Sequence, residues 1–492
     1  MENAYAVSDA LTPVWYTFDG MSKTKQSQLY TLIIVFFFWG FVAASNGIFI
    51  PFCKAHFSLS QFQSQLIDLT FYGGYFVGSV LLFLYSTLSG NDLLNRIGYK
   101  KGIVYGLGIS ALGALAIIPA VYVGSFELIL GAFFIVALGF SLQQTSAQPY
   151  AASLGTPETG AHRLNLAGGI NSLGTTLGPI IVSYLLFGSI GGNGQASISS
   201  ISNLYLIMAG MFVAMMVFFA ATGLQHTSTQ AEATSTDFGA LKYPQLTLGM
   251  LAIFVYVGVE VTIQSNMGAL LKLPEFGGYT ESQLAPFISL YWGSLMIGRW
   301  TGALSVFNLG ATWRTILSVI VPFLAFGVVL FVNHLNGHDI STMYIYALPI
   351  AAMIGVNFLS NESQSRALVL FSIFGLMAML TGIFTTGQVA TYAFISGGLA
   401  CSVLWPCIFS LAIHGLGKYT GQGSAFLIMM IFGGAIIPPL QGLLADHDSI
   451  GIHHSYWITV LCFGYLAFYG FKVKNILQKQ GLQAGDATVQ GH

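Results

Sequence analysis

The sequence predicts an all-α polytopic membrane protein, two bundles of helices with about fourteen spans between them. Three observations carry that prediction. Only 7% of the 492 residues are charged and 55% are hydrophobic, whereas soluble domains average about 25% charged residues. Apolar stretches of the roughly 20 residues that a span needs recur along the whole chain. A single polar stretch, residues 224–244, divides six of them from the eight that follow. The net charge of −1 and the lack of a basic run give no sign of a nucleic-acid partner.

Taken in order, residues 1–28 hold Glu2, Asp9, Asp19, Lys23 and Lys25 without an apolar core, so a cytoplasmic tail is expected and a cleavable signal peptide is not. The amino-terminal bundle, 29–223, reads as spans at 29–51, 63–87, 103–123, 125–150, 166–188 and 203–223. The linker is rich in Thr, Ser and Gln, which suits a flexible cytoplasmic connector. The carboxy-terminal bundle, 245–472, reads as 245–268, 284–308, 314–333, 341–360, 366–386, 388–413, 421–445 and 455–472, and 473–492 is a second cytoplasmic tail. With the amino terminus inside, the inner loops collect Arg96, Lys100, Lys101, Arg163, Lys242, Arg314, Arg366, Lys418, Lys472, Lys474 and Lys479, and the outer loops only Lys54 and Lys272. Membrane proteins keep their positive charge inside, so this asymmetry supports both the orientation and the span count.

The two blocks echo each other. Gly174 and Gly178-Pro179 of span five resemble Gly434 and Pro438-Pro439, and Gly40 and Asn46 of span one align with Gly258 and Gln264 of span seven. A duplicated bundle with its pathway between the halves is the usual plan of a secondary transporter.

The polar residues inside spans are the functional candidates. Gln144 and Gln148, four apart, share a helix face, and Asn171 lies among Gly168, Gly169 and Gly174. An unpaired amide in hydrocarbon costs several kcal/mol (of order 2–7), so these groups should line an enclosed path or bond between helices. Two carboxylates are intramembrane: Asp68, with Tyr72 and Tyr75 on its face, and Glu260, stacked with Tyr256 and Gln264. Both are expected in the outer half at similar depths. A carboxylate there is costly and can take up a proton or a cation, which makes both candidates for ion coupling. Arg299, near the inner end of its span, reads as an interface anchor or gate contact. Trp39, Tyr72, Tyr291 and other aromatic residues could stack on a sugar ring or simply pack.

Other chemistry is not legible. G-x-x-x-x-G-K-[ST], H-E-x-x-H and G-x-S-x-G do not occur, so neither ATP-driven transport nor a hydrolase is read. Cys53, Cys401, Cys407 and Cys462 show no C-x-x-C spacing, and no metal site, disulfide or resident cofactor is expected.

Several stretches carry a family resemblance: QTSAQP at 144–149, RLNLAGGINSLG at 163–174, FYGGYFVGS at 71–79, GRWTG at 298–302 and GSAFLIMMIFGGAIIPPLQG at 423–442. With the worn inner-loop motif NRIGYKK at 95–101, they make the sequence resemble the fucose–galactose–glucose:proton symporter family of the major facilitator superfamily. The resemblance implies twelve core helices in two six-helix bundles, alternating access, and import of a monosaccharide with H⁺ or Na⁺. It implies sugar-lining roles for Asn46, Gln144, Gln148 and Asn171, with Gln264, Trp39, Tyr72 and Tyr291 as further candidates. Arg96, Arg163 and Arg299 become gate or inner-loop residues. The expected setting is the cell membrane, multi-pass, as a monomer in the lipid bilayer. The chain departs from the family in an extra span pair within 311–386 and in Gly47 and Gln144, which stand where the fucose branch has acidic residues. An exporter, a carrier of another polyol, a non-transporting sugar receptor and a membrane-embedded enzyme are the rival readings.

Overall fold

The computed structural model describes residues 23–89, 93–154, 160–187, 198–224, 239–302, 304, 310–335, 337–360, 363–416 and 419–482, and their regular structure is entirely helical. Most of the linker lies outside the described residues. The first half comprises α1 (Lys23–His56), α2 (Gln61–Ser64), α3 (Leu66–Ser89), α4 (Leu93–Ile97), α5 (Tyr99–Val123), α6 (Phe126–Ser153), α7 (Gly160–Phe187) and α8 (Ile198–Ala221). The second half begins with α9 (Pro244–Leu271), α10 (Ala285–Gly302), α11 (Ala311–Leu335), α12 (Ala347–Ser360) and α13 (Gln364–Phe384). It continues with α14 (Gly387–Cys401), α15 (Leu404–Ile413), α16 (Thr420–Met429), α17 (Gly433–Ala445), α18 (Gly451–Ser455) and α19 (Trp457–Lys479).

Among the described residues thirteen helical segments are long and apolar enough to cross a membrane. The fourteenth span is α10, which carries Arg299 and several polar residues and is buried along nearly its whole length. A helix enclosed by other helices can be polar where a lipid-facing one cannot. The ends differ from the sequence reading: α1 starts at Lys23 and α19 runs to Lys479, so each expected tail gives up residues to a helix. The span read at 388–413 is broken at Ser402-Val403. Pro406 follows immediately; it cannot donate to the carbonyl of Ser402, and its ring would crowd that carbonyl in a continuous helix.

Small residues set the packing within each bundle. A Cβ on Gly40 would fall 2.1 Å from the Asn171 carbonyl oxygen and one on Gly174 would fall 2.0 Å from that of Phe37, so α1 and α7 touch backbone to backbone. In the second half a Cβ on Gly433 would lie 1.7 Å from the Phe254 carbonyl oxygen, which brings α17 equally close to α9. The helices that echo one another in sequence thus also pair in corresponding ways.

In the first half α5 packs along α6 and α8; in the second, α13 packs along α14 and α19. Helices α11 and α12 have no counterpart in this scheme. They lie against α10 and α13 and leave Trp313, Leu324 and Leu348 among the most exposed apolar residues. The two halves meet through α7 against α10, α3 against α17 and α1 against α9, and the candidate residues lie at these contacts.

Candidate functional site

One end of the bundle contact is tied by polar groups from both halves. The chain leaves α1 at His56 and turns through the short helix α2, whose first backbone amides meet the carboxylate of Asp446 just beyond α17. Gln61 N donates to Asp446 Oδ1 at 2.7 Å and Phe62 N to Oδ2 at 2.8 Å. A carboxylate suits this place because the first amides of a helix have no partner within it. Gln61 Nε2 also donates to Asn266 Oδ1 on α9 at 2.7 Å, and Lys54 Nζ donates to Gln61 Oε1 at 2.6 Å.

One level deeper lies Asp68, on the first turn of α3 and fully buried. It accepts from Asn46 Nδ2 of α1 at 3.3 Å and from the hydroxyl of Ser265 on α9. Gln264 Nε2 donates to Ser265 Oγ at 2.7 Å, and Gln65 Nε2 donates to the Ser265 carbonyl oxygen at 3.3 Å. Asn46, read from sequence as a sugar ligand, is therefore a partner of the carboxylate, as Gln264 is through Ser265.

Glu260 belongs to a second cluster. It is five residues from Ser265 along α9, about 7.5 Å deeper at 1.5 Å per residue, so the two carboxylates do not share a depth as the sequence led us to expect. Arg299 Nη2 on α10 lies 3.9 Å from Glu260 Oε1, and Arg299 Nη1 donates to Ser172 Oγ of α7 at 2.9 Å. The arginine thus pairs with a carboxylate of its own bundle and reaches across to the other. Tyr291 is fully buried, and its hydroxyl donates to the Glu260 backbone carbonyl at 2.6 Å. Tyr256 sits one turn along α9, and its hydroxyl and Glu260 Oε2 are both buried and make no hydrogen bond. The ring of Tyr72 packs against Gly434.

The amides of the first half divide into two groups. Gln144 and Gln148 are half-buried: Tyr75 OH and Gln148 Nε2 each donate to Gln144 Oε1 at 3.1 Å, which leaves the Gln144 amide nitrogen free of these bonds. Asn171 Nδ2 donates to the Phe36 carbonyl oxygen at 2.8 Å, so half of this amide is used to join α7 to α1. Trp39 is turned into the interior of its own bundle, where Nε1 donates to Gln143 Oε1 at 2.9 Å, away from the other candidates. Of the other arginines, Arg163 is buried and its Nε donates to the Ala151 carbonyl at 3.0 Å, whereas Arg96 is exposed on α4. The sequence reading passed over Gln65, Ser265, Asp446 and Gln143. The polar run TIQSN at 262–266 and the three-residue spacing of Gln65 and Asp68 were the signals available.

Comparison with known proteins identifies the family. The Major Facilitator Superfamily profile matches residues 31–364, more than half of the chain. The glucose/galactose transporter of Brucella abortus is 34% identical over 458 residues, which cover 92% of this chain and 96% of that protein. The L-fucose-proton symporter of Escherichia coli is 24% identical over 467 residues, covering 90% and 92%. The crystal structure of the E. coli fucose:proton symporter superposes with a TM-score of 0.60 at 23% identity, covering 92% of this chain and 99% of that one. The chain belongs to the Major Facilitator Superfamily, in its fucose–galactose–glucose:proton symporter family.

Proposed function

We propose that the protein imports a hexose or deoxyhexose such as glucose, galactose or fucose, by symport with H⁺ or Na⁺, through a path that opens alternately to the two sides. It is a transporter and not an enzyme. The observation that carries the reading is a polar seam between two membrane-spanning bundles, half-buried amides and Asp68 on the first wall and Glu260 with Ser265 on the second. The relatives named above as glucose/galactose transporter and L-fucose-proton symporter support the substrate class. On this reading Gln144, Gln148 and the free half of Asn171 bond sugar hydroxyls, and Tyr72 offers a ring face. Glu260 and Asp68 are the coupling carboxylates, and Arg299 is a contact of the gate.

The charge distribution supports a cell membrane location with both termini cytoplasmic, which makes the Asp446 end the outer one. The protein acts as a monomer, and α11 with α12 is the extra pair, added outside the two six-helix bundles. The test is uptake of labelled glucose, galactose and fucose into proteoliposomes under separate proton and sodium gradients. Accumulation of at least one sugar under one gradient is expected. Facilitated exchange with no accumulation under either gradient would remove the symport claim.

A further inference from the structure

Four side chains converge where α1, α3 and α9 meet, and their chemistry is one-sided. Asp68 has no ion-pair partner among the described residues, and its two hydrogen bonds come from the neutral donors Asn46 and Ser265. Around it the amide nitrogens of Gln264 and Gln65 are used on Ser265, while their carbonyl oxygens, Gln264 Oε1 and Gln65 Oε1, are buried without any donor. Gln65 is fully buried and Gln264 is 1% exposed. Each free oxygen is one amide width from a nitrogen already bonded to Ser265. Buried acceptors without donors are uncommon in native proteins and call for an explanation, an unseen ion among them.

The donor set available here is one carboxylate, two amide oxygens and a serine hydroxyl, with no nitrogen or sulfur ligand. All-oxygen sets suit hard cations. A single carboxylate neutralises a single charge, so a monovalent ion leaves the buried site neutral while a divalent one does not. We propose that Asp68, Ser265, Gln264 and Gln65 form the binding site of a dehydrated Na⁺ ion, the ion that drives transport. The hydroxyl hydrogen of Ser265 turns from Asp68 as the ion arrives, which frees a lone pair for it. Gln65 and Asp68 belong to one bundle and Gln264 and Ser265 to the other, so the ion is fully coordinated only while this end is closed. The coupling role rests on the symport reading above; the binding itself does not.

The test is thermal unfolding of the purified full-length protein in NaCl, KCl and choline chloride at equal ionic strength. A saturable rise of several degrees is expected in NaCl alone. Asp68→Asn and Ser265→Ala should each lose it, while Glu281→Gln, outside the site, keeps it. Two substitutions guard against one failing to fold. Equal melting in the three salts, or a Na⁺ effect that survives both substitutions, overturns the site. Sodium-specific stabilisation without sugar accumulation under a sodium gradient keeps the site but overturns its role as the driving ion.

Discussion

The two intramembrane carboxylates are held in opposite ways. Glu260 faces a cation, Arg299, on the neighbouring helix of its own bundle, 3.9 Å away. Asp68 has neutral partners only, Asn46 from its own bundle and Ser265 from the other. When the bundles rock apart, Glu260 and Arg299 travel together, and only the bond from Arg299 to Ser172 is at stake. Asp68 instead loses its partner on α9. An ion pair inside one moving body holds a charge in place, while a carboxylate shared between two bodies responds to their separation. If both carboxylates serve coupling as proposed, the contrast predicts that Asp68 responds directly to whether the bundles are closed and that Glu260 does so only through Arg299.

The largest effect should come from breaking that symmetry of charge. Glu260→Gln strands Arg299, whose side chain is 23% exposed. Orphaning a buried charge costs about 3–5 kcal/mol, and the residual exposure favours the lower end. A clear drop in melting temperature is expected, with most of it recovered in the double variant Glu260→Gln, Arg299→Gln. In the absence of Na⁺, Asp68→Asn leaves no charge unpaired and should change stability by about 1 kcal/mol or less, the scale of one neutral hydrogen bond. Its loss is functional: gradient-driven accumulation should fail while sugar exchange survives. If Asp68→Asn proves the less stable of the two, or still concentrates sugar, the assignment of roles is reversed.

How much of this could be read from sequence follows the range of the interactions. Span number, the two-bundle plan and the presence of two intramembrane carboxylates depend on local composition and hydropathy, which the chain displays openly. The break before Pro406 was local too, but the proline alone could not announce it, since Pro119, Pro179 and Pro322 lie inside unbroken helices. Partners across helices were not. Asn46 and Asp68 are separated by a turn of chain, Asp68 and Ser265 by 197 positions, and Glu260 and Arg299 by a loop. Spacing along one helix says which residues share a face but not which neighbour that face meets. For the same reason Trp39 read as a pathway aromatic, although it is turned inward to Gln143.

The next effect concerns whether the bundles part at the Asp68 end at all. Asp446 accepts from two backbone amides of α2 across the interface. Hydrogen bonds to a charged group contribute about 1.5–3 kcal/mol each, so Asp446→Ala should favour the parted state by tenfold or more. The readout is labelling by a membrane-impermeant thiol reagent at Leu284→Cys, a position 1% exposed, in a chain whose own cysteines are all buried. Faster labelling in Asp446→Ala supports a latch. An unchanged rate means that Asp446 only caps α2, and that the cluster around Asp68 opens by some other movement.

A smaller effect separates sugar binding from helix packing on the Arg299 side. Asn171 neighbours Ser172, and its amide nitrogen is already committed to Phe36. Asn171→Ala should weaken sugar binding two- to tenfold, the loss of one hydrogen bond worth about 0.5–1.5 kcal/mol. It should also lower stability by a similar amount through the α1–α7 contact. A lower melting temperature with unchanged sugar affinity would assign Asn171 to packing alone and move the sugar toward Gln144 and Gln148.

The smallest effect serves as the calibration for the first. Glu281 and Lys272 form a carboxylate–ammonium pair in the α9–α10 loop, with side chains 31% and 30% exposed. Burial pushes the Glu281 carboxyl up, but the Lys272 ammonium and a backbone amide outweigh it and hold the carboxyl below the usual carboxylate range. A carboxylate whose pKa is lowered by folding adds stability that is complete above its unfolded pKa and fades as pH falls through the folded one. The pair should therefore contribute fully at neutral pH and nothing in strong acid. Water and salt screen it, so Glu281→Gln should cost about 1 kcal/mol or less at pH 7, and less again at high salt. Melting curves of wild type and Glu281→Gln should converge on acidification below the usual carboxylate range, whereas those of wild type and Glu260→Gln at pH 7 should stay well apart at every salt concentration. Equal salt sensitivity of the two gaps would mean that the Glu260–Arg299 pair is as open to water as the loop pair, and the contrast drawn between the two carboxylates would lose its basis.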